Sequence, residues 1–168
     1  ASAFSFLEGA SLPEDLVVGF VGASPPLVLG DYNLVNTIAG ITFDENATNV
    51  GSYSIPPDPH GAVGPNHLVT VINTSIEWHT KAGVQQGSTS LKTFFGSATN
   101  TFDPKVIYDD YNDRFIVITL ERVNLGNGNT ADDESRILVA VSDDADPNGT
   151  WHTHSINALT TIGGVNTW

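Results

Sequence analysis

From residue 67 onward the chain alternates. Leu68, Thr70 and Ile72, then Ile76 and Trp78 beyond Asn73, recur at every second position. Period two puts successive side chains on opposite faces of a pleated strand, so "HLVTVINTSIEWHT" predicts two strands divided by a tight Asn-Thr turn. "KAGVQQG" follows as a hairpin or loop, and "STSLKTFF" predicts a third strand. Residues 105–108 and 114–120 predict two more, joined by "DDYND". "VNLGNGNTADDES" has no apolar pattern and predicts a polar loop. "RILVAVS" and "TWHTHSI" then predict two strands around the turn "DDADPNG". The first half is weakly patterned: short apolar runs are broken by Gly, Pro and Asn, which favours short strands or an irregular wrap. Residues 12–20 have room for one or two helical turns capped by Ser11, and residues 44–62 read as a linker-like loop.

Residues 102–156 therefore hold four strands joined in order, the content of an up-and-down four-stranded sheet. "RFIVITL" and "RILVAV" are apolar on both faces, so such a sheet is expected to be covered on both. The fold class is all-β, with antiparallel four-stranded sheets that are propeller-like in part and a β-sandwich as the alternative. No strict internal repeat is present. The expected organisation is an irregular segment with short strands over residues 1–54 and one β-sheet domain over 55–168.

Charge narrows the partners. Six Lys and Arg stand against 19 Asp and Glu, a formal net charge of −13. Such a surface repels the phosphate backbone, which excludes nucleic acid, and suits divalent cations. The chain has no cysteine, so disulfides and thiolate zinc sites are excluded. No apolar run is long enough for a membrane helix. The start "ASAFSFLEG" has the small residues left by a signal peptidase, so the expected location is secreted or cell-surface, the periplasm included.

Three segments, "PPDPHGAVGPNHLVTVINTS", "DPKVIYDDYNDRFIV" and "ILVAVSDDADPNGTW", together resemble a group of secreted bacterial proteins. That group carries a Pro-Pro-Asp-x-x-Gly-x-Val-Gly-Pro-x-His segment, a strand-rich "DPxVxYDxxxxRF" segment and a hairpin ending "DPxGxW". The resemblance spans about residues 55–157 and implies a β-propeller of the cell exterior. At roughly forty residues per blade, this length falls short of a closed propeller of four blades. The expectation is a fragment of a longer protein, with the rest of the propeller or a partner chain completing the fold. The ending "DPNGTW" is also similar to the structural Asp-box turns of sialidase-like propellers.

Several residues carry candidate chemistry. Asp144, Asp146 and Asn148 alternate before Gly149, as at the start of an EF-hand loop, although the twelfth position is Ser155. Calcium is the expected ion there, and a plain Asp-Pro-Asn-Gly turn is the competing and preferred reading. Asp58, His60 and His67 form a second potential ligand set. Their Pro- and Gly-rich context reads first as a stiff path into a strand. His152 and His154 share one strand face, a partial zinc or copper site if a further ligand arrives from a neighbouring strand. Asp132, Asp133 and Glu134 read as a solvated loop. Sequons stand at Asn46, Asn73 and Asn148.

The functional expectation is an extracellular, calcium-stabilised binding or scaffold protein that meets a glycan or protein surface. The alternatives are a polysaccharide lyase or glycoside hydrolase and an accessory subunit of a larger assembly. An enzyme predicts that several of His60, His67, Asp103, Tyr108 and Arg114 converge in one cleft.

Overall fold

The computed structural model describes residues 3–7, 19–20, 34–99, 101–123 and 133–167. Strands β1 (Ala3–Leu7), β2 (Gly19–Phe20) and β3 (Leu34–Ala39) form a sheet in the order β2-β1-β3. Gly19 and Phe20 are thus strand, and the rest of the expected helical stretch, residues 12–18, lies outside the described residues. A four-stranded antiparallel meander follows, with β4 (His60–Val63), β5 (His67–Ile72), β6 (Ser75–Thr80) and β7 (Gln85–Ser90) in chain order. A second meander comprises β8 (Thr101–Asp109), β9 (Arg114–Val123), β10 (Glu134–Ser142) and β11 (Trp151–Asn157). The hairpin β12 (Thr160–Ile162) and β13 (Val165–Thr167) turns through Gly163 and Gly164, both at positive φ. The all-β expectation holds. Among the described residues no helix is long and apolar enough to cross a membrane.

Two short helices correct the strand and loop readings. Helix α1 (Phe43–Val50) occupies the expected linker because Thr42 and Glu45 form a reciprocal capping box and Gly51 closes the helix at φ 82°. Helix α2 (Leu91–Phe95) replaces the latter part of the strand predicted over "STSLKTFF", whose first three residues do end β7: Ser90 caps the first helical turn and Gly96 ends it in the left-handed region. Strand β4 is a further addition, since the proline-rich stretch supplies a strand of its own.

The meanders stack face to face. Strands β4 and β8 run side by side in the same direction. The Val106 amide donates to His60 Nδ1 at 3.3 Å near one end, and Gly64 sits against Tyr108 and Phe115 near the other. Between the sheets lie Ala62, Val69, Val71 and Ile76 from the first meander and Val106, Phe115, Val117 and Ala140 from the second. Leu91 of α2 completes this layer, with Trp78, Phe94, Phe95, Tyr108 and Trp151 around it. A Cβ on Gly64 would fall 2.8 Å from the Phe115 ring. Glycine there is what lets the sheets close.

The two outer faces differ. On the first meander, Thr70, Ser75, Glu77 and His79 are all buried. Asn46 of α1 accepts hydrogen bonds from Thr74 and Ser75 at 3.1 and 2.6 Å. Glu77 accepts from Gln85 at 2.6 Å and stands 3.4 Å from His79 Nε2. Burial pushes the Glu77 carboxyl above its ordinary range, opposed by the Gln85 bond and helped by Glu45. Burial also pulls the His79 imidazole down, against the Glu45 charge. On the second meander, alternation puts Ile107, Ile116, Ile118, Val139, Val141 and Ile156 on the outer face. There Ile107 is 53% exposed, Ile156 45% and Ile118 37%. Among the described residues, the expectation that both faces are covered is therefore met for the first meander and not for the second.

Two consequences are measurable. The Trp78 indole lies over Gly87, where an added Cβ would fall 2.2 Å from Cζ2. Gly87→Ala is expected to displace the ring and lower stability by about 1–3 kcal/mol in urea unfolding. His79 holds a proton less readily when folded than in the unfolded chain, where it titrates near 6.5. Keeping it neutral therefore contributes fully above that value, and the contribution is lost as pH falls through it. The urea midpoint should drop from pH 7.5 to pH 6, and His79→Asn should remove the larger part of that slope. Glu77, raised by burial, has the opposite sign and opposes this slope, so the comparison with His79→Asn is what isolates the histidine.

Candidate functional site

In an antiparallel meander the first and third turns fall at the same end. Because β4 and β8 run in one direction, these turns of both sheets gather at one end of the stack. The segments at residues 64–66, 110–113 and 143–150 meet there around an open cleft of about 380 Å³. Its lining is Pro65, Asn66, His67, Asp113, Asp144, Ala145 and Asp146. Three carboxylates and one imidazole face it, with no Lys or Arg among them.

Local hydrogen bonds set each of these groups. His67 Nε2 stands 3.7 Å from Asp146 Oδ1, while its Nδ1 is buried without a partner. Asp146 accepts from the Asn148 amide at 3.0 Å and from its side chain at 2.7 Å. The backbone bond from Asn148, then its side-chain bond and the His67 imidazole, hold Asp146 below the usual carboxylate range. Asp144 Oδ1 accepts from the Asp146 amide at 2.7 Å. Tyr108 donates to Asp113 Oδ1 at 3.2 Å. Burial, this bond and the charges of Asp113, Asp110 and Asp109 push the Tyr108 phenol up to about 12. Beside it, bonds from Asn112 and Tyr111 hold Asp109 low. The cleft is electronegative at neutral pH, and Tyr108 is a fixed hydroxyl donor rather than a proton acceptor.

The turn "DDADPNG" also ties the two sheets together. Trp78 Nε1 of β6 donates to Asn148 Oδ1 at 2.9 Å, and Asn148 Nδ2 donates to Gln86 Oε1 of β7 at 2.8 Å. Trp151 Nε1 donates to the Pro147 carbonyl at 3.0 Å and packs edge-on against Phe94. Asn148 thus spends its side-chain oxygen on Trp78, and an ion at that atom would have to displace the indole. Asp144 and Asp146 remain exposed at the cleft.

The other expected ligand set is spread out. Asp58 accepts from Asn73 Nδ2 at 2.8 Å at the opposite end of the stack. His60 starts β4 there, and His67 starts β5 at the cleft end. Asn73 clamps this far end: its amide also donates to the Pro56 carbonyl at 3.0 Å, and its oxygen accepts from the Asp103 amide at 2.8 Å. Asp58, Thr74 and Asp103, bonded or adjacent to Asn73, all have positive φ. Of the five residues an enzyme would gather, His67, Tyr108 and Arg114 belong to the cleft end, whereas His60 and Asp103 belong to the other. His152 and His154 stand exposed on β11, opposite Val141 and Val139. In the acidic loop, Asp132 lies outside the described residues and Asp133 is buried; Glu134 pairs with Arg136. Among the described residues no three His, Asp or Glu side chains are grouped so as to hold a metal ion.

Asp113, Trp78 and Gln86 escaped the sequence reading as parts of this end. Turn parity was the available signal for Asp113; nothing in the linear order pointed to Trp78 or Gln86. Comparison with family models, curated proteins and solved structures returns no match.

The clasp has a direct test. Asn148→Ala strips Trp78 and Gln86 of their partners and is expected to cost about 1 kcal/mol, because water reaches both. Asn148→Asp keeps the acceptor for Trp78 but turns a carboxylate oxygen toward Asp146 and Gln86, so it should cost at least as much at neutral pH and less in acid. Urea unfolding followed by tryptophan fluorescence reads both.

Proposed function

We propose that the chain forms part of an extracellular, β-propeller-like protein that works by binding or scaffolding, with its working surface at the acidic cleft. The observation that carries this reading is the stacking of two four-stranded meanders, first strand beside first strand, with the turns of both at one end. Side-by-side meanders of this kind are the units from which propeller blades are built, and loops at one end form the usual binding surface. The apolar outer face of the second meander, with Ile107, Ile118 and Ile156 exposed, fits a further sheet beside it. Calcium at the cleft would rest on Asp144 and Asp146, with water and carbonyl oxygens filling the remaining positions, and would offset part of the negative charge there. The partner this surface suits is a glycan or a protein carrying cationic or hydroxyl groups.

A second reading, a subunit whose sheet array is completed by another polypeptide, draws on the same uncovered face. The enzyme reading gains less, since its five residues divide between two ends.

Thermal unfolding in calcium and in chelator tests the ion. Saturating calcium is expected to raise the melting temperature by several degrees, at about 2–4 °C per kcal/mol for a chain of this size. The Asp144→Asn, Asp146→Asn double variant should lose that rise. Affinity electrophoresis through polysaccharide gels then tests binding. Calcium-dependent retardation, absent in the double variant, supports a glycan-binding surface. Release of new sugar ends would support a lyase or hydrolase instead, and identical melting with and without calcium would remove the ion from the proposal.

A further inference from the structure

Among the described residues, strand β11 is the outer strand of its sheet and pairs with β10 alone. Residues 152–157 are exposed on both faces of the sheet. Its seven-residue register with β10 runs without a bulge, and "WHTHSIN" contains no Pro and no Lys or Arg. Bulges, prolines and lysines are the usual devices that stop an edge strand from pairing with another chain. This edge has none of them.

On one face of that edge stand His152 and His154. Alternation spaces them roughly 6.6 Å apart along the strand, close enough for both imidazoles to reach one metal ion at about 2.0–2.1 Å. Neither has a hydrogen-bond or ion-pair partner, unlike His60 on Val106, His67 on Asp146 and His79 on Glu77. Their neighbours across the strand pair are Val141 and Val139, which offer no ligand atom. Two imidazoles leave a tetrahedral ion half filled, and the vacant side of β11 is where further protein ligands have room to approach.

We propose that β11 pairs antiparallel with β11 of a second copy of this chain, and that the four imidazoles of the two strands hold a divalent transition metal such as zinc. With Thr153 on the two-fold axis, His152 of each copy falls opposite His154 of the other, and all four lie on one face. The contact is isologous, so each copy supplies the same half-site. Backbone pairing fills the unsatisfied edge, and the metal fixes its register, which plain edge pairing leaves open to slippage. This inference goes beyond the function proposed above: it uses neither the cleft nor calcium, and it needs only the β11 margin of the outer face, where His152 and His154 stand, to stay open. Either can fail alone.

Sedimentation velocity of the purified chain, with zinc chloride and then with chelator, is the test. Zinc is expected to convert one-chain particles to two-chain particles at one ion per two chains, and chelator to reverse this. His152→Ala and His154→Ala, both on an exposed edge and verified as folded by circular dichroism, should each weaken zinc-dependent dimerisation by more than about tenfold. Thr153→Lys places a charge on the axis and should block it, while Val84→Ala, on the exposed surface of the first meander, should not. A chain that stays single in zinc overturns the proposal, as does a dimer that persists in both histidine variants. A dimer unaffected by Thr153→Lys overturns the edge pairing.

Discussion

The contact between β4–β5 and β8–β9 is the constraint on which the rest of this structure depends. Val69, Val71, Val106, Phe115 and Val117 are buried there almost completely, in one layer between two sheets. Burying such side chains is worth about 1.5–3 kcal/mol each, and neither meander alone has a second surface to bury them against. Gly64 sets how closely the layer can close, since any side chain there would meet the rings of Phe115 and Tyr108. The cleft follows from the same contact. It exists because this packing brings the turn ends of two separate sheets to one place.

Polar groups then do at the margins what apolar ones do in the middle. Asn73 at one end and Asn148 at the other each join two segments distant in sequence, using both the donor and the acceptor of one amide. The buried Glu121 carries the loop after α2 in a similar way. Its carboxylate accepts from Ser97 and from the Ala98 amide and pairs with Arg136 at 2.9 Å. Burial raises its proton affinity, but these bonds and the guanidinium outweigh burial, and the group is held below its ordinary range. Glu77 has the Gln85 and Ser88 side chains and a neutral-leaning imidazole beside it, no guanidinium, and there burial wins. Two buried glutamates in one chain thus move in opposite directions because one has a permanent cation and the other does not.

The strands from His67 to Asn157 were legible because alternation and turn chemistry are local properties. The Asn-Thr turn, the "DDYND" turn and the "DDADPNG" turn fall where residue types dictate. Helix α1 was missed although Thr42 and Glu45 spell a capping box, since its polar composition resembles a loop. Helix α2 was missed because Leu91, Phe94 and Phe95 suit a strand as well as a short helix. The cleft was half legible. His67, Asp144 and Asp146 were singled out for chemistry, but their grouping with Asp113 depends on how two sheets stack.

By itself the sequence determined the strand periods, the turn positions and the strongly acidic surface, because each depends on residue type and near neighbours. Only the tertiary structure decided which carboxylates share a cleft and that Asn148 is occupied by Trp78 and Gln86. It alone separated His60 from His67 and covered one outer sheet face while leaving the other open. The physical reason is the range of the interactions. Propensity and alternation act over a few residues, whereas proximity between loops is set by the packing of surfaces that lie tens of residues apart along the chain.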